Sequence, residues 1–249
     1  MHPAKDFFDE WAPIYDAYYG TREIGDREFY VTLASEVDGP VLEVGCGTGR
    51  VYRDLLRAGV DAHGIDASGE MLDVLERRAE EECLTPQVRQ ADVTDFEPER
   101  EYELAIVPFR TFLHVISLDD QRAALRTLRE ALAPGGRLAL NFFAPNPEVI
   151  AERYGEPRSE TVEHDGREYL VTSLSELEDE VEWIVRERRT VERDGEVLRE
   201  AAYRMKLVTK REFELLLVTT GWSDWEVYGG FDREPLANAG QELVWIVEK

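Results

Sequence analysis

Lysine is nearly absent from this 249-residue chain: only Lys5, Lys206, Lys210 and Lys249 occur, every other basic residue being arginine. Cysteine is rarer still. Cys46 lies in a glycine-rich loop and Cys83 near a helix end, so neither a disulfide framework nor a metal site is supported. No apolar run is long enough to span a bilayer, and no signal peptide, internal repeat or low-complexity tract is found. A soluble protein of the reducing cytoplasm is expected. Acid fills the space that lysine leaves: 53 Asp and Glu face 29 Lys and Arg, a net charge of -24. That field repels a phosphate backbone or an anionic membrane and favours small or basic ligands. Spread along the chain and not gathered in a tail, the acid reads as adaptation to high salt, the alternative being an ordinary acidic protein.

The densest signal is Val41-Leu42-Glu43-Val44-Gly45-Cys46-Gly47-Thr48-Gly49. An apolar strand carrying one acid enters three alternating glycines, and a helix follows. Gly45 and Gly47 allow a tight turn that lies against a ligand, while Gly49 lets the next helix, through Val51, Leu55 and Leu56, pack close to the strand. The start of that helix offers free N–H groups to a carboxylate or phosphate. A dinucleotide fingerprint spaces its glycines G-x-G-x-x-G; here the third comes one residue early and Arg50 stands in its place, which weakens a pyrophosphate reading. The next strand, Val60 to Ile65, ends in Asp66, about twenty residues beyond the loop, where a carboxylate accepts from both ribose hydroxyls. Gln90-Ala91-Asp92-Val93 puts a further acid after a third strand.

In this order the segments resemble the class I S-adenosylmethionine-dependent methyltransferases, from Val41 to about Phe143. The resemblance implies that Gly45, Gly47 and Gly49 hold the methionine part of S-adenosylmethionine, Asp66 its ribose and Asp92 its adenine amino group. Glu43, Cys46, Ala67, Met71 and Val93 complete the implied cofactor set, Cys46 as a small loop residue and not a nucleophile. Glu101 to Pro108 reads as the fourth strand, and Leu132 to Leu138 resembles the helix-end turn into the fifth.

The expected fold is α/β: a doubly wound, seven-stranded, mostly parallel sheet of Rossmann-like methyltransferase type with an antiparallel β-insertion. One domain spans 1–249: an N-terminal helical lid and first helix (1–37), the cofactor core (40–143), an inserted β-layer (144–208) and a closing helix and hairpin (209–249). In the lid, Trp11, Tyr15, Tyr18 and Tyr19 have helical spacing, which serves burial as well as function. Tyr15-Asp16-x-x-Tyr19 resembles a lid whose tyrosines close over sulfonium and substrate. A helix is expected from about Arg22 to Val37. Asp165-Gly166 and Asp194-Gly195 read as hairpin turns between alternating strands, one through Val181, Trp183 and Val185, another through Val197, Arg199, Ala201, Tyr203 and Met205. Thr209 should cap a helix to Thr220, ended by Gly221, with Phe213, Leu216 and Leu217 inward. Strands Trp225–Tyr228 and Leu243–Val247 close the chain, the last one antiparallel. The insertion resembles that of methyltransferases acting on small molecules, amino-sugar N-methyltransferases among them, where it roofs the site; its alternative role is a homodimer interface.

Methyl transfer from a sulfonium is an in-line displacement, so alignment and exclusion of water come before acid–base machinery. Pro108 to His114 should meet the substrate: His114 as base, Arg110 as cation, Phe109 stacked near adenine or methyl, with Tyr15 over the reacting atoms. A histidine between Leu113 and Val115 is also a common packed residue. The function expected is methyl transfer to N or O of a small-molecule acceptor, without a metal. A nicotinamide-dependent oxidoreductase is disfavoured by the early third glycine and the lack of a Tyr-Lys pair. A non-catalytic S-adenosylmethionine-binding module is the third class.

Overall fold

A computed structural model describes residues 4–19, 24–164 and 166–249. The aromatic N-terminal stretch forms two short helices, α1 (Lys5–Trp11) and α2 (Tyr15–Tyr19), broken at Pro13, which has no N–H to continue a helix. The next helix, α3, runs Asp26–Ser35, shorter than expected at both ends; Arg22 lies outside the described residues, as does Asp165 of the first Asp-Gly turn.

Strand and helix then alternate: β1 (Val41–Val44), α4 (Tyr52–Arg57), β2 (Ala62–Asp66), α5 (Gly69–Glu81), β3 (Gln87–Gln90), β4 (Tyr102–Val107), a 3-10 turn (Thr111–His114), α6 (Leu118–Ala131) and β5 (Leu132–Phe143). Val60, expected to open the second strand, precedes it. Ser68 and Ser117 cap α5 and α6 by accepting the N–H of Met71 and Asp120. On α6, Gln121, Ala124, Leu125, Leu128 and Ala131 recur at helical spacing and are buried. Pro134 to Gly136 bulge out near the start of β5, since Tyr102 pairs Leu132 while Leu104 pairs Arg137.

The insertion opens with a helix the sequence did not announce, α7 (Pro147–Arg153), capped by Asn146. It continues as β6 (Arg158–His164), β7 (Arg167–Asp179), β8 (Ile184–Arg193) and β9 (Glu196–Lys206), an antiparallel sheet in sequence order. Val181 and Trp183 belong to the β7–β8 turn and not to a strand, and Val181 is 85% exposed. Thr209 and Glu212 form a reciprocal capping box for α8 (Lys210–Thr219). Strands β10 (Asp224–Tyr228) and β11 (Glu242–Glu248) finish the main sheet, whose order is β10-β11-β5-β4-β1-β2-β3; β11 is antiparallel to β5 and β10, the rest parallel. The chain leaves β1 for β2 on one side and returns as β4 on the other, which makes the β1/β4 boundary the place where a parallel sheet opens for a ligand. Among the described residues, no helix is long and apolar enough to cross a membrane.

Candidate active site

A cavity of about 330 Å³ opens at the carboxyl ends of β1, β2 and β4, within the range of small-molecule sites. The amides of Gly45 and Cys46 both donate to the Ile65 carbonyl (2.8 and 3.1 Å), tying the start of the glycine loop to β2. Gly47 has φ 52°, and a Cβ there would meet nothing nearer than 3.9 Å, so the room beside it is free for a ligand. Gly49 acts differently from the sequence expectation. Its Cβ would come within 2.9 Å of Leu75 on α5 and 3.2 Å of Arg53 on α4, so it relieves crowding between helices and not against the strand.

Asp66 accepts from the Gly47 N–H and the Ser68 N–H, both at 2.8 Å. Burial pushes its pKa up to about 6, against the pull of those bonds. Glu43 is 2% exposed, burial raises its carboxyl well above the usual range, and its Oε2 has no hydrogen-bond partner among the described residues. Cys46, Ala67, Met71 and Val93 line the same cavity; burial raises the Cys46 thiol, which stays protonated. Two predicted residues, Gly49 and Asp92, do not line it. Asp92 Oδ1 is engaged by the N–H (3.1 Å) and hydroxyl (2.8 Å) of Thr94, and the wall there is Ala91 and Val93.

Phe109 and Arg110 both have left-handed backbone, φ 55° and 68°, which for such side chains persists only where the surroundings enforce it. Here Asn141 does so. Its Oδ1 accepts the Phe109 N–H (3.0 Å) and the Tyr30 hydroxyl (2.8 Å), and its Nδ2 donates to Glu242 (2.7 Å). Arg110 grips the same Glu242 with two bonds of 3.0 and 2.8 Å and lies over the Phe143 ring. His114 lines the cavity with Nδ1 3.3 Å from the Arg204 carbonyl, its ring edged between Phe8 and Tyr203.

The N-terminal helices α1 and α2 are pinned to the core. Asp9 accepts from the Ser68 hydroxyl and Asp16 from the Thr48 hydroxyl, each at 2.6 Å, and Asp16 pairs with Arg78. The Tyr15 and Tyr19 rings pack at 4.7 Å, and Tyr19 meets Phe109 edge-on at 5.5 Å. Burial raises the Tyr15 phenol well above its ordinary value, so it is neutral at physiological pH.

Several lining residues escaped the sequence reading. Arg50, noted only for displacing a glycine, lies 4.3 Å over the Phe109 ring and clamps Asp26, which is fully buried, with both terminal nitrogens. Glu187 and Arg189 come from the insertion, where Val185, Glu187, Arg189 and Val191 are all buried. That strand period of two, with charges on the inward face, was the signal that could have found them.

Residues 41–136 match the family model described as a methyltransferase domain. An uncharacterized methyltransferase of Bacillus thuringiensis (strain Al Hakam) is 26% identical over 138 residues, 53% of this chain and 63% of the relative; the match thus spans under two thirds of such relatives. Among solved structures, an S-adenosylmethionine-dependent methyltransferase from Clostridium acetobutylicum superposes with a TM-score of 0.79 at 16% identity, over 97% of this chain and 98% of the other. A sugar N-methyltransferase from Streptoalloteichus sp. does so at 0.73 and 19% identity, over 100% and 94%. An amino pentose methyltransferase from Micromonospora echinaspora, with S-adenosylmethionine bound, gives 0.69 and 20%, over 95% and 97%. Residues 41–136 thus match a methyltransferase domain, and the chain has the fold of the class I S-adenosylmethionine-dependent methyltransferases.

Proposed function

We propose that this protein moves a methyl group from S-adenosylmethionine to a nitrogen or oxygen of a small-molecule acceptor. The observation that carries the reading is one cavity in which an open glycine loop faces Asp66 and the orphaned Oε2 of Glu43. These residues fit the cofactor. An ammonium supplies the missing partner of Glu43, Arg50 faces a carboxylate, and Asp66 keeps lone pairs for ribose hydroxyls. Ala67, Met71 and Val93 offer an apolar wall for adenine, with Asp92 between the lining residues Ala91 and Val93 as the proposed partner of its amino group. When bound, S-adenosylmethionine supplies an electrophilic methyl whose leaving group is a neutral sulfide.

The chain's own part is placement. Phe109 holds its strained position through Asn141, Tyr15 and Tyr19 exclude water, and His114 takes a proton from the acceptor. Arg110, bound to Glu242, contributes a fixed positive charge. The inserted sheet acts as a roof, a reading supported by Arg189 and Tyr203, which line the cavity, and by Tyr203, which packs against the N-terminal helices. The names of the sugar and amino pentose methyltransferases with this fold support a small-molecule acceptor. The same reading has a cytoplasmic protein adapted to high salt, without nucleic-acid or membrane partners.

Calorimetry with S-adenosylhomocysteine and with NAD tests it. S-adenosylhomocysteine should bind and NAD should not, and Asp66→Ala should weaken binding by about 1.5–3 kcal/mol through loss of a charged acceptor. Binding of NAD alone, or unchanged affinity in the variant, would overturn the assignment.

A further inference from the structure

Arg189 projects from the inward face of β8 into the cavity wall and is 5% exposed. One terminal nitrogen donates to the Tyr203 hydroxyl at 3.0 Å and reaches Glu187 at 3.4 Å. Its Nε and Nη1 are buried and have no hydrogen-bond partner among the described residues. The rings of Tyr18 and Tyr19 lie 4.7 and 4.9 Å from the guanidinium carbon. Aromatic rings stabilise a cation but provide no acceptor in the guanidinium plane. Glu187 does not close the account, since its other oxygen is held by Ser175.

The remaining arginines and the lysine of the cavity wall are committed: Arg50 to Asp26, Arg110 to Glu242 and Lys5 to Asp9. Arg189 is paired as well, with Glu187, but among these cations it alone keeps buried donors with no partner among the described residues, and it lies on the inserted sheet, apart from the glycine loop. Given the methyl transfer proposed above, on which this step rests, we infer that the acceptor carries a carboxylate that docks on Arg189. Planar guanidinium and carboxylate match in geometry, and a chain of net charge -24 repels a phosphate dianion more than a monoanion. Arg189 thus sets acceptor class: it holds the carboxylate under the roof and leaves the nucleophile free to point down toward the methyl group.

The test is ligand-observed saturation-transfer NMR on the intact protein, with acetate, its neutral isostere acetamide, and methyl phosphate, each with and without S-adenosylhomocysteine. Acetate should bind, acetamide should not, methyl phosphate should bind more weakly, and Arg189→Gln should weaken acetate by at least about tenfold. Read with S-adenosylhomocysteine bound, whose own carboxylate takes the Arg50 end of the cavity, the wild-type comparison stands even if that variant unfolds, and Arg189→Lys gives a second, charge-conserving variant with intermediate affinity. No acetate binding, equal binding of acetamide, a preference for methyl phosphate, or retained acetate affinity in a folded Arg189→Gln would overturn the inference. Failure of S-adenosylhomocysteine to bind would strike the methyl-transfer reading instead, because the difference between wild type and folded Arg189→Gln is also read without it.

Discussion

Asp66 carries a pH signature. Under the function proposed above, ribose hydroxyls need the ionised carboxylate of Asp66, whose pKa burial pushes up to about 6. Hydrogen bonds to the charged form lower that value on binding. Affinity for S-adenosylhomocysteine should therefore be full above about pH 6 and fall as the pH drops through it, by up to about tenfold per unit. Titration calorimetry across this range checks it; Asp66→Asn should bind more weakly with a shallower profile, and an equally steep profile would assign the proton elsewhere. The glycine loop and Asp66 were legible because contiguous spacing encodes a turn and a strand end. The Arg50–Asp26 and Arg110–Glu242 pairs were not, since partners 24 and 132 residues apart leave no local pattern. Asp92 shows a further limit: order along the chain placed it at a strand end but could not foretell that Thr94 would engage one of its oxygens.

At the scale of elements, Asp16 joins α2, part of the proposed lid, to the glycine loop through Thr48 and to α5 through Arg78. Asp16→Ala removes a charged acceptor worth about 1.5–3 kcal/mol. Amide hydrogen exchange should accelerate in residues 5–19 and acceptor turnover should drop, with the core sheet unchanged; unaltered exchange would show that aromatic packing alone seats the lid. Sequence periodicity found the helix-forming stretch but not its break at Pro13, and the alternation through Val181 and Trp183 imitated a strand where the chain turns. On β8, by contrast, alternation was present but its inward set includes Glu187 and Arg189, which composition assigns to a solvated face.

At the scale of the whole molecule, two effects of salt oppose each other. Exposed pairs such as Arg57–Glu82 weaken on screening, yet each contributes only about 0–1 kcal/mol. Repulsion within a net charge of -24 is relieved at the same time. The second should win, so the thermal midpoint should rise from low to molar potassium chloride by scanning calorimetry; a flat or falling midpoint would count against adaptation to high salt.

The lid also joins two compartments. It touches the glycine loop through Asp16 and the inserted sheet through the Tyr18 hydroxyl, 3.1 Å from Ser173. Under the function proposed above, this one segment lies over both the cofactor and the acceptor, and we propose that the two ligands share it as their way in. The deeper ligand must then enter first and leave last. In steady-state kinetics such a compulsory order makes a dead-end analogue of the acceptor an uncompetitive inhibitor against the cofactor, whereas independent doors would give mixed inhibition.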